Sequence, residues 1–340
     1  MFERTPVAPP KIVPLTKSDL KRPLWSVMIP VFNCIGFLAQ TLHCVLIQDP
    51  GEKLMQIEVI DDFSTDGNVQ ALVEQIGQGR IKYFRQETNV GSLRNFETCI
   101  NRSCGARVHL LHGDDLVLPG FYQEIDRLFN QNPEAGAAFT SNSLIDAKNA
   151  VFYKRESILR FPGIVKDFLI KSAQWPKLEP AAIVVKRSVY ENLGGFYAVH
   201  YGEDWEMWTR IAANYPVAYS PKHLAAYRVL REGNITQQSY LNGQNVRDMI
   251  KVIDIIQNYL PADKRKKIKA AALKYYAVHC AKTAIKLQPT QKAAAVLQAK
   301  AAWVLDKNFK SVCFLGIFWM KHTFKTIISA LAKFKTASAW

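Results

Sequence analysis

The chain has 340 residues, 49% of them hydrophobic, which is enough to bury a large core in one main domain plus an appendage. Its six cysteines (34, 44, 99, 104, 280, 313) form no CxxC pair and no zinc spacing, which excludes a structural zinc module and leaves small buried thiols in a reducing compartment. The net charge of +15 belongs to the tail: residues 1–245 hold 26 Lys+Arg and 25 Asp+Glu, residues 246–340 hold 18 and 4.

Residues 1–23, rich in Pro and Lys, read as an extended lead-in. Met1 to Pro14 contain no apolar run, so no secretory signal is expected. Trp25 to Val31 reads as a buried strand, and Gly36 to Gln48 as a helix with Phe37, Leu38, Leu42, Val45 and Leu46 near one face. Gln56 to Ile60 is a second strand that runs into Asp61-Asp62. Val69 to Ile76 is a short helix, Ile81 to Arg85 a third strand, and Ser92 to Ser103 a helix entered through Asn89-Val90-Gly91.

Val108 to Leu111 is a buried strand leading into His112-Gly113-Asp114-Asp115 and a turn closed by Pro119. Adjacent acids at the end of a core strand raise each other's pKa, and a divalent cation removes that cost. Oxygen ligands suit manganese or magnesium. Further on, Phe121 to Asn130 reads as a helix, Ala135 to Ser141 and Ala181 to Lys186 as strands, and Tyr201 to Arg210 as an acidic, aromatic turn entering a helix. Tyr219 to Arg228 returns as a strand, and Glu232 to Thr236 is a loop.

Strands alternating with helices predict right-handed βαβ units and a mostly parallel sheet. In such sheets the ligand lies beyond the carboxyl ends of the strands. The polar clusters at Asn33, Asp61-Asp62 and Asp114-Asp115 all lie there, and no GxGxxG or GxxxxGK[ST] accompanies them. With a nucleotide-sugar at the strand ends, Asp62 is placed to accept the N–H of a base edge, and Asp114-Asp115 to hold an ion across a diphosphate. Asp204 is the candidate general base for an acceptor hydroxyl, with Glu203 and nearby aromatic residues raising its pKa.

From Val246 the pattern is helical, broken at Pro261 and Pro289. Val312 to Met320 is apolar, too short to span a bilayer, and lies among Lys307, Lys310, Lys321, Lys325, Lys333 and Lys335. This fits either a helix in the membrane interface or an ordinary helical subdomain with solvated lysines.

The ordered set SVMIPVFN, EVIDDFSTDG, NVGSLRN, LLHGDDLVLP, LGGF and GEDWEMWTRIA resembles family 2 glycosyltransferases over roughly residues 24–236. The resemblance implies a GT-A nucleotide-diphospho-sugar transferase fold, with a mostly parallel Rossmann-like sheet and helices on both faces, over residues 24–240. A basic helical extension would cover 241–340. It implies that Pro30, Phe32 and Asn33 line the donor pocket and Asp62 binds the base. Asn89, Gly91, Arg94 and Asn95 would lie near the nucleotide-sugar, Asp115 with Asp114 at a Mn2+ or Mg2+ ion, and Asp204 would be the base of an inverting single displacement. Tyr227, Arg228 and Thr236 would help hold the diphosphate.

Two departures stand out. The family's D-S-D-D is His112-Gly113-Asp114-Asp115 here, so His112 is a substitute ligand or a structural residue. The usual Arg-x-His is Arg228-Val229-Leu230, with Arg231 as a possible stand-in.

The expected function is transfer of a sugar, from a UDP-sugar by preference, to a glycan or lipid-linked acceptor in cell-surface polysaccharide or glycolipid synthesis. The expected place is the cytoplasm, peripheral on the inner face of the plasma membrane. A catalytically silent nucleotide-sugar or glycan binder is the alternative. Nucleic acid is not an expected partner, because few aromatics interleave with the lysines at 264–269.

Overall fold

The computed structural model describes residues 3–15, 22–230 and 235–321. The chain divides into two compact units, Met1–Ser172 with Pro176–Glu232, and Ala173–Trp175 with Gly233–Trp340.

The first unit is a sheet with helices on both faces. In chain order its elements are β1 (Trp25–Val31), α1 (Ile35–Leu46), β2 (Met55–Asp61), α2 (Val69–Gly77), β3 (Lys82–Arg85), α3 (Ser92–Arg102), β4 (Arg107–Leu110), β5 (Leu116–Val117) and α4 (Phe121–Gln131). Then follow β6 (Ala137–Asp146), β7 (Val151–Lys154), β8 (Gly163–Ile164), α5 (Phe168–Ser172), β9 (Ile183–Lys186), α6 (Arg187–Leu193), α7 (Glu203–Asn214) and β10 (Val217–Leu230). The strand order is β3-β2-β1-β4-β9-β6-β10-β5.

The long ladders are parallel: β1 with β2 and β4, β2 with β3, and β6 with β10. The short ladders made by β5, β7, β8 and β9 are antiparallel. All seven residues of β1 are buried, as a strand covered on both faces requires. Leu38, Leu42, Val73, Phe121 and Ile125 close one face through α1, α2 and α4. Leu93, Phe96, Val189, Met207 and Trp208 close the other through α3, α6 and α7. Each such side chain contributes about 2 kcal/mol by leaving water. Because β1 to β4 run in parallel, their carboxyl ends bring Asn33, Asp61-Asp62 and Asp114-Asp115 to one edge of the sheet.

Residues 148–175 hold β7, β8 and α5. β7 is an edge strand exposed at all four residues, which explains its weak signal. The lead-in makes neither helix nor strand over residues 3–15, but Ile12 is only 2% exposed and packs in the core beside α3, α6 and α7.

The second unit holds α8 (Ile235–Asn242), α9 (Gln244–Ile256), α10 (Ala262–Leu287), α11 (Lys292–Leu305) and a further helix over 309–321. Ile235 and Thr236, read from sequence as loop, begin α8, while 232–234 lie outside the described residues. Cys280, Ala281 and Ala284 on α10 meet Ala295, Ala299 and Ala302 on α11, and Leu315 and Phe318 close the cluster. Among the described residues no helix is long and apolar enough to cross a membrane.

Candidate active site

The loops after β1 and β2 are knotted together. Asn33 takes a left-handed backbone (φ +47), donates its N–H to Ser64 Oγ at 3.1 Å and accepts the Thr65 N–H at 2.8 Å. Phe32 beside it is 46% exposed. Pro30 is buried within β1, and its carbonyl accepts the Gly113 N–H at 3.1 Å.

Asp61 is buried and accepts from Ser64 N at 2.9 Å, Tyr83 Oη at 2.8 Å and Arg85 Nη1 at 2.5 Å. Asp62 is 2% exposed, and its carboxylate accepts Val90 N at 2.7 Å, Gly91 N at 3.0 Å and Asn89 Nδ2 at 2.9 Å. Burial pushes its carboxyl up, and the two backbone N–H groups oppose the shift. Asp62, expected to take a base N–H, also organises the 89–91 turn into α3. Asn95 is likewise internal: it donates to Ile60 O at 2.9 Å and accepts from Gln86 at 3.1 Å. Phe32, Asn33, Asn89 and Arg94 keep accessible surface, whereas Pro30, Asp62, Gly91 and Asn95 are buried framework.

Past the end of β4, the His112 ring stacks on Phe96 with centroids 5.2 Å apart and planes 13° apart. A Cβ on Gly113 would lie 2.8 Å from Val31 Cγ2 and 2.9 Å from Cys34 Sγ, so the position has no room for the family's usual serine. The two acids then part ways. Asp114 keeps accessible surface, while Asp115 is wholly buried. Asp115 Oδ1 accepts the Arg228 N–H at 2.9 Å, and Oδ2 has no hydrogen-bond partner among the described residues. Burial first, and the Asp114 charge second, push the Asp115 carboxyl well above the usual range.

Arg228, expected to hold a diphosphate, is 1% exposed and internal. Its guanidinium donates to Asp114 O at 2.8 Å, Asp146 O at 2.7 Å, Asn149 Oδ1 at 2.7 Å and Gln40 Oε1 at 3.2 Å, and lies over the Phe37 ring. A buried cation has to have its donors matched, and two carbonyls with two side-chain amide oxygens do the matching. Thr236 belongs to the second unit, and the other predicted site residues belong to the first. Arg231 lies outside the described residues.

Among the described residues no three His, Cys, Asp or Glu side chains gather to hold an ion. A protein-only cage is therefore not what the Mn2+ or Mg2+ expectation can rest on. An ion held through one carboxylate and shared with substrate phosphates is a common magnesium arrangement, and the accessible Asp114 fits it.

On the other face, α7 is locked at its first turns. Trp205, 1% exposed, donates its indole N–H to Ser172 O at 2.6 Å. Buried Glu206 pairs with Arg210 at 3.0 Å, and Arg210 also donates to Leu193 O at 2.5 Å and Gly195 O at 2.8 Å. Asp204, half-buried, accepts the Trp205 N–H at 2.7 Å. Burial first, then the charge of Glu179, raise its carboxyl to about 7, and Arg155 opposes them. After burial, Glu179 is the largest contributor to the raised carboxyl of Asp204. Glu179 and Arg155 form an ion pair with each other. Neither residue carries a sequence signal, because each lies in an irregular segment without periodicity or motif. A carboxylate poised near neutral pH is suited to take a proton from a hydroxyl.

Comparison with known proteins identifies the family and the fold. The family described as Glycosyl transferase family 2 matches residues 26–194. An uncharacterised glycosyltransferase of Mycoplasma genitalium is 24% identical over 227 residues, 64% of this chain and 72% of that protein. S. aureus TarS 1–349 in complex with UDP-GlcNAc superposes with a TM-score of 0.62 at 17% identity, covering 82% of this chain and 81% of that one. The mannosyltransferase PcManGT from Pyrobaculum calidifontis, in complex with GDP-Man and Mn2+, gives 0.55 at 18% identity over 96% of this chain and 86% of that one. With the family match and the shared fold, the chain belongs to the family 2 glycosyltransferases and is built on their GT-A fold.

Proposed function

We propose that the chain catalyses inverting transfer of a sugar from a nucleoside-diphosphate donor, UDP-sugar by preference, to a hydroxyl of a glycan or lipid-linked acceptor. The donor lies at the ends of β1, β2 and β4, with the exposed Phe32 ring and Asn33 beside its base. Asp114 would hold a Mn2+ or Mg2+ ion shared with the diphosphate, and the bound ion would supply charge neutralisation for the leaving group. Asp204 takes the proton of the acceptor hydroxyl. The hydroxyl oxygen bonds to the anomeric carbon as its bond to the phosphate oxygen breaks, and the nucleoside diphosphate leaves.

The observation that carries this reading is Asp204: a carboxyl raised to about 7 at the head of a rigid helix, flanked by the Arg155–Glu179 pair. The test is calorimetric titration of UDP and GDP with and without Mn2+, followed by NMR of the product anomer with the bound sugar nucleotide. Manganese-dependent binding and an inverted anomer are expected, and a retained anomer would sink the single displacement.

Attachment to the inner face of a membrane, in polysaccharide or glycolipid synthesis, is supported by the helix over 309–321. It exposes Phe309 at 83%, Trp319 at 44% and Met320 at 65% beside Lys310 and Lys321. Sedimentation with anionic vesicles should fall sharply in the double variant Phe309→Glu/Trp319→Glu, and equal sedimentation would refute the attachment. A catalytically silent sugar-nucleotide binder is the second reading. His112 in place of an acid favours it, and transfer from a bound donor would exclude it.

A further inference from the structure

Residues 3–15 carry Pro6, Pro9, Pro10 and Pro14, and a proline-rich segment is pre-extended, so fixing it loses little chain entropy. This one is fixed along its length. Arg94 Nε donates to Glu3 O at 3.0 Å, Ala198 N to Pro6 O at 2.8 Å, Gly195 N to Pro10 O at 2.8 Å and Arg187 Nη2 to Val13 O at 2.9 Å. Val13 N donates in turn to Asn101 Oδ1 at 3.0 Å, and Thr5 Oγ1 lies 2.5 Å from His200 Nε2.

The chain that receives the segment is shaped for it. Gly194 has φ +78, and a Cβ there would lie 2.8 Å from both Pro10 O and Pro9 Cβ. Ala198 also takes a left-handed backbone (φ +74), which L residues seldom adopt, and its N–H is the one bonded to Pro6.

One end of the segment reaches the turn that Asp62 organises. Arg4 donates to Asn89 Oδ1, and its Nε lies 3.2 Å from where a Cβ on Gly91 would stand. Its charge draws the Asp62 carboxyl down, while the residue itself remains exposed. Asp62 is engaged by three N–H groups of the turn, so the accessible polar group added to this place is a planar guanidinium that can only donate. Such a group matches a base edge of carbonyl oxygens or ring nitrogens, and opposes an edge that presents an amino group.

We propose that Arg4, held in place by residues 3–15, reads the acceptor edge of the donor nucleobase and is a specificity-determining residue of the transferase. The proposal rests on the donor site placed above at the ends of β1 and β2. The segment that carries Arg4 also bonds to Ala198 and His200, a few residues before Asp204. Reading of the base and placement of the catalytic carboxylate therefore share one strut.

The test is calorimetric titration of UDP, GDP and ADP, which differ only in the base, into the full chain with Mn2+. Wild type, Arg4→Ala and Arg4→Lys are compared, with thermal melts alongside. Wild type should prefer UDP or GDP over ADP. Arg4→Ala should weaken the preferred nucleotide about ten-fold, the value of a good planar donor pair, and flatten the preference against ADP with the melt unchanged. Arg4→Lys should lie between, since it keeps the charge without the fork. Unchanged affinities in Arg4→Ala would overturn the proposal, and so would an equal loss for all three nucleotides, which marks a phosphate contact. Failure of wild type to bind any nucleotide would overturn the donor site itself; binding by wild type with an indifferent Arg4→Ala overturns Arg4 alone.

Discussion

At the end of β2, Asp61 and Asp62 are buried, and their carboxylates accept bonds from Ser64, Tyr83 and Arg85, and from Asn89, Val90 and Gly91. At the head of α7, Asp204 keeps an accessible edge, accepts from Trp205 N, and has the negative Glu179 as its neighbour. The first pair holds loops in shape; the second site is left with a carboxylate that is costly to ionise and therefore reactive near neutral pH. Under the proposed function, the motif acids close to the sheet serve the framework, and the chemistry would fall to the acid that the framework does not satisfy. Asp114 and Asp115 repeat the contrast between adjacent residues.

The sharpest way to break this comparison is to neutralise one acid from each side. Asp204→Asn should lower turnover by about 10²–10⁴-fold with nucleotide binding retained. Asp62→Asn should instead loosen the 89–91 turn, lowering the melting temperature and donor affinity before it touches turnover at saturating donor. A wild-type turnover number in Asp204→Asn removes Asp204 from the chemistry.

Next in size is Arg228. Replacing it with Met removes the guanidinium donors to Asp114 O and the Asn149 amide oxygen and one of the two donors to Asp146 O, and should cost about 3 kcal/mol in urea unfolding. Asp114→Ala, on the accessible acid of the same strand end, should leave the unfolding midpoint in place and abolish manganese-dependent nucleotide binding. If the two variants exchange phenotypes, the division between framework and site at the end of β4 is wrong. A smaller loss, about 1–2 kcal/mol, is expected for Gly194→Ala, where a left-handed backbone and the Pro9-Pro10 contact both oppose a side chain.

The strands and helices of the parallel half were legible because buried strands between helices read as short apolar runs, and the acids at their carboxyl ends follow from the topology. Burial of an individual acid was not legible: nothing in Asp114-Asp115 says which of the two turns inward, since that depends on Arg228, more than a hundred residues on. Glu179 was hidden for the same reason, being brought to Asp204 by tertiary packing alone. The lead-in reads only as extended because proline-rich sequence has no periodicity, yet Gly194 and Gly195, which receive it, are visible as LGGF. The start of α8 was missed because Glu232-Gly233-Asn234 is turn chemistry by composition.

The smallest expected effect is also the one that isolates Glu179. A general base works deprotonated, so the transfer rate should rise with pH and level off above about 7, where Asp204 ionises. Glu179→Gln removes the second cause of the raised value, so the inflection should move to lower pH with the plateau rate nearly unchanged. The stability effect has the opposite sign. The folded pKa of Asp204 lies above the unfolded one, so the unfolded state binds fewer protons between the ordinary carboxylate range and about pH 7. Stability therefore falls as pH rises through that window, and Asp204→Asn should flatten the fall while lowering the rate. A rate profile indifferent to Glu179→Gln would assign the raised value to burial alone and leave the Arg155–Glu179 pair a purely structural clasp.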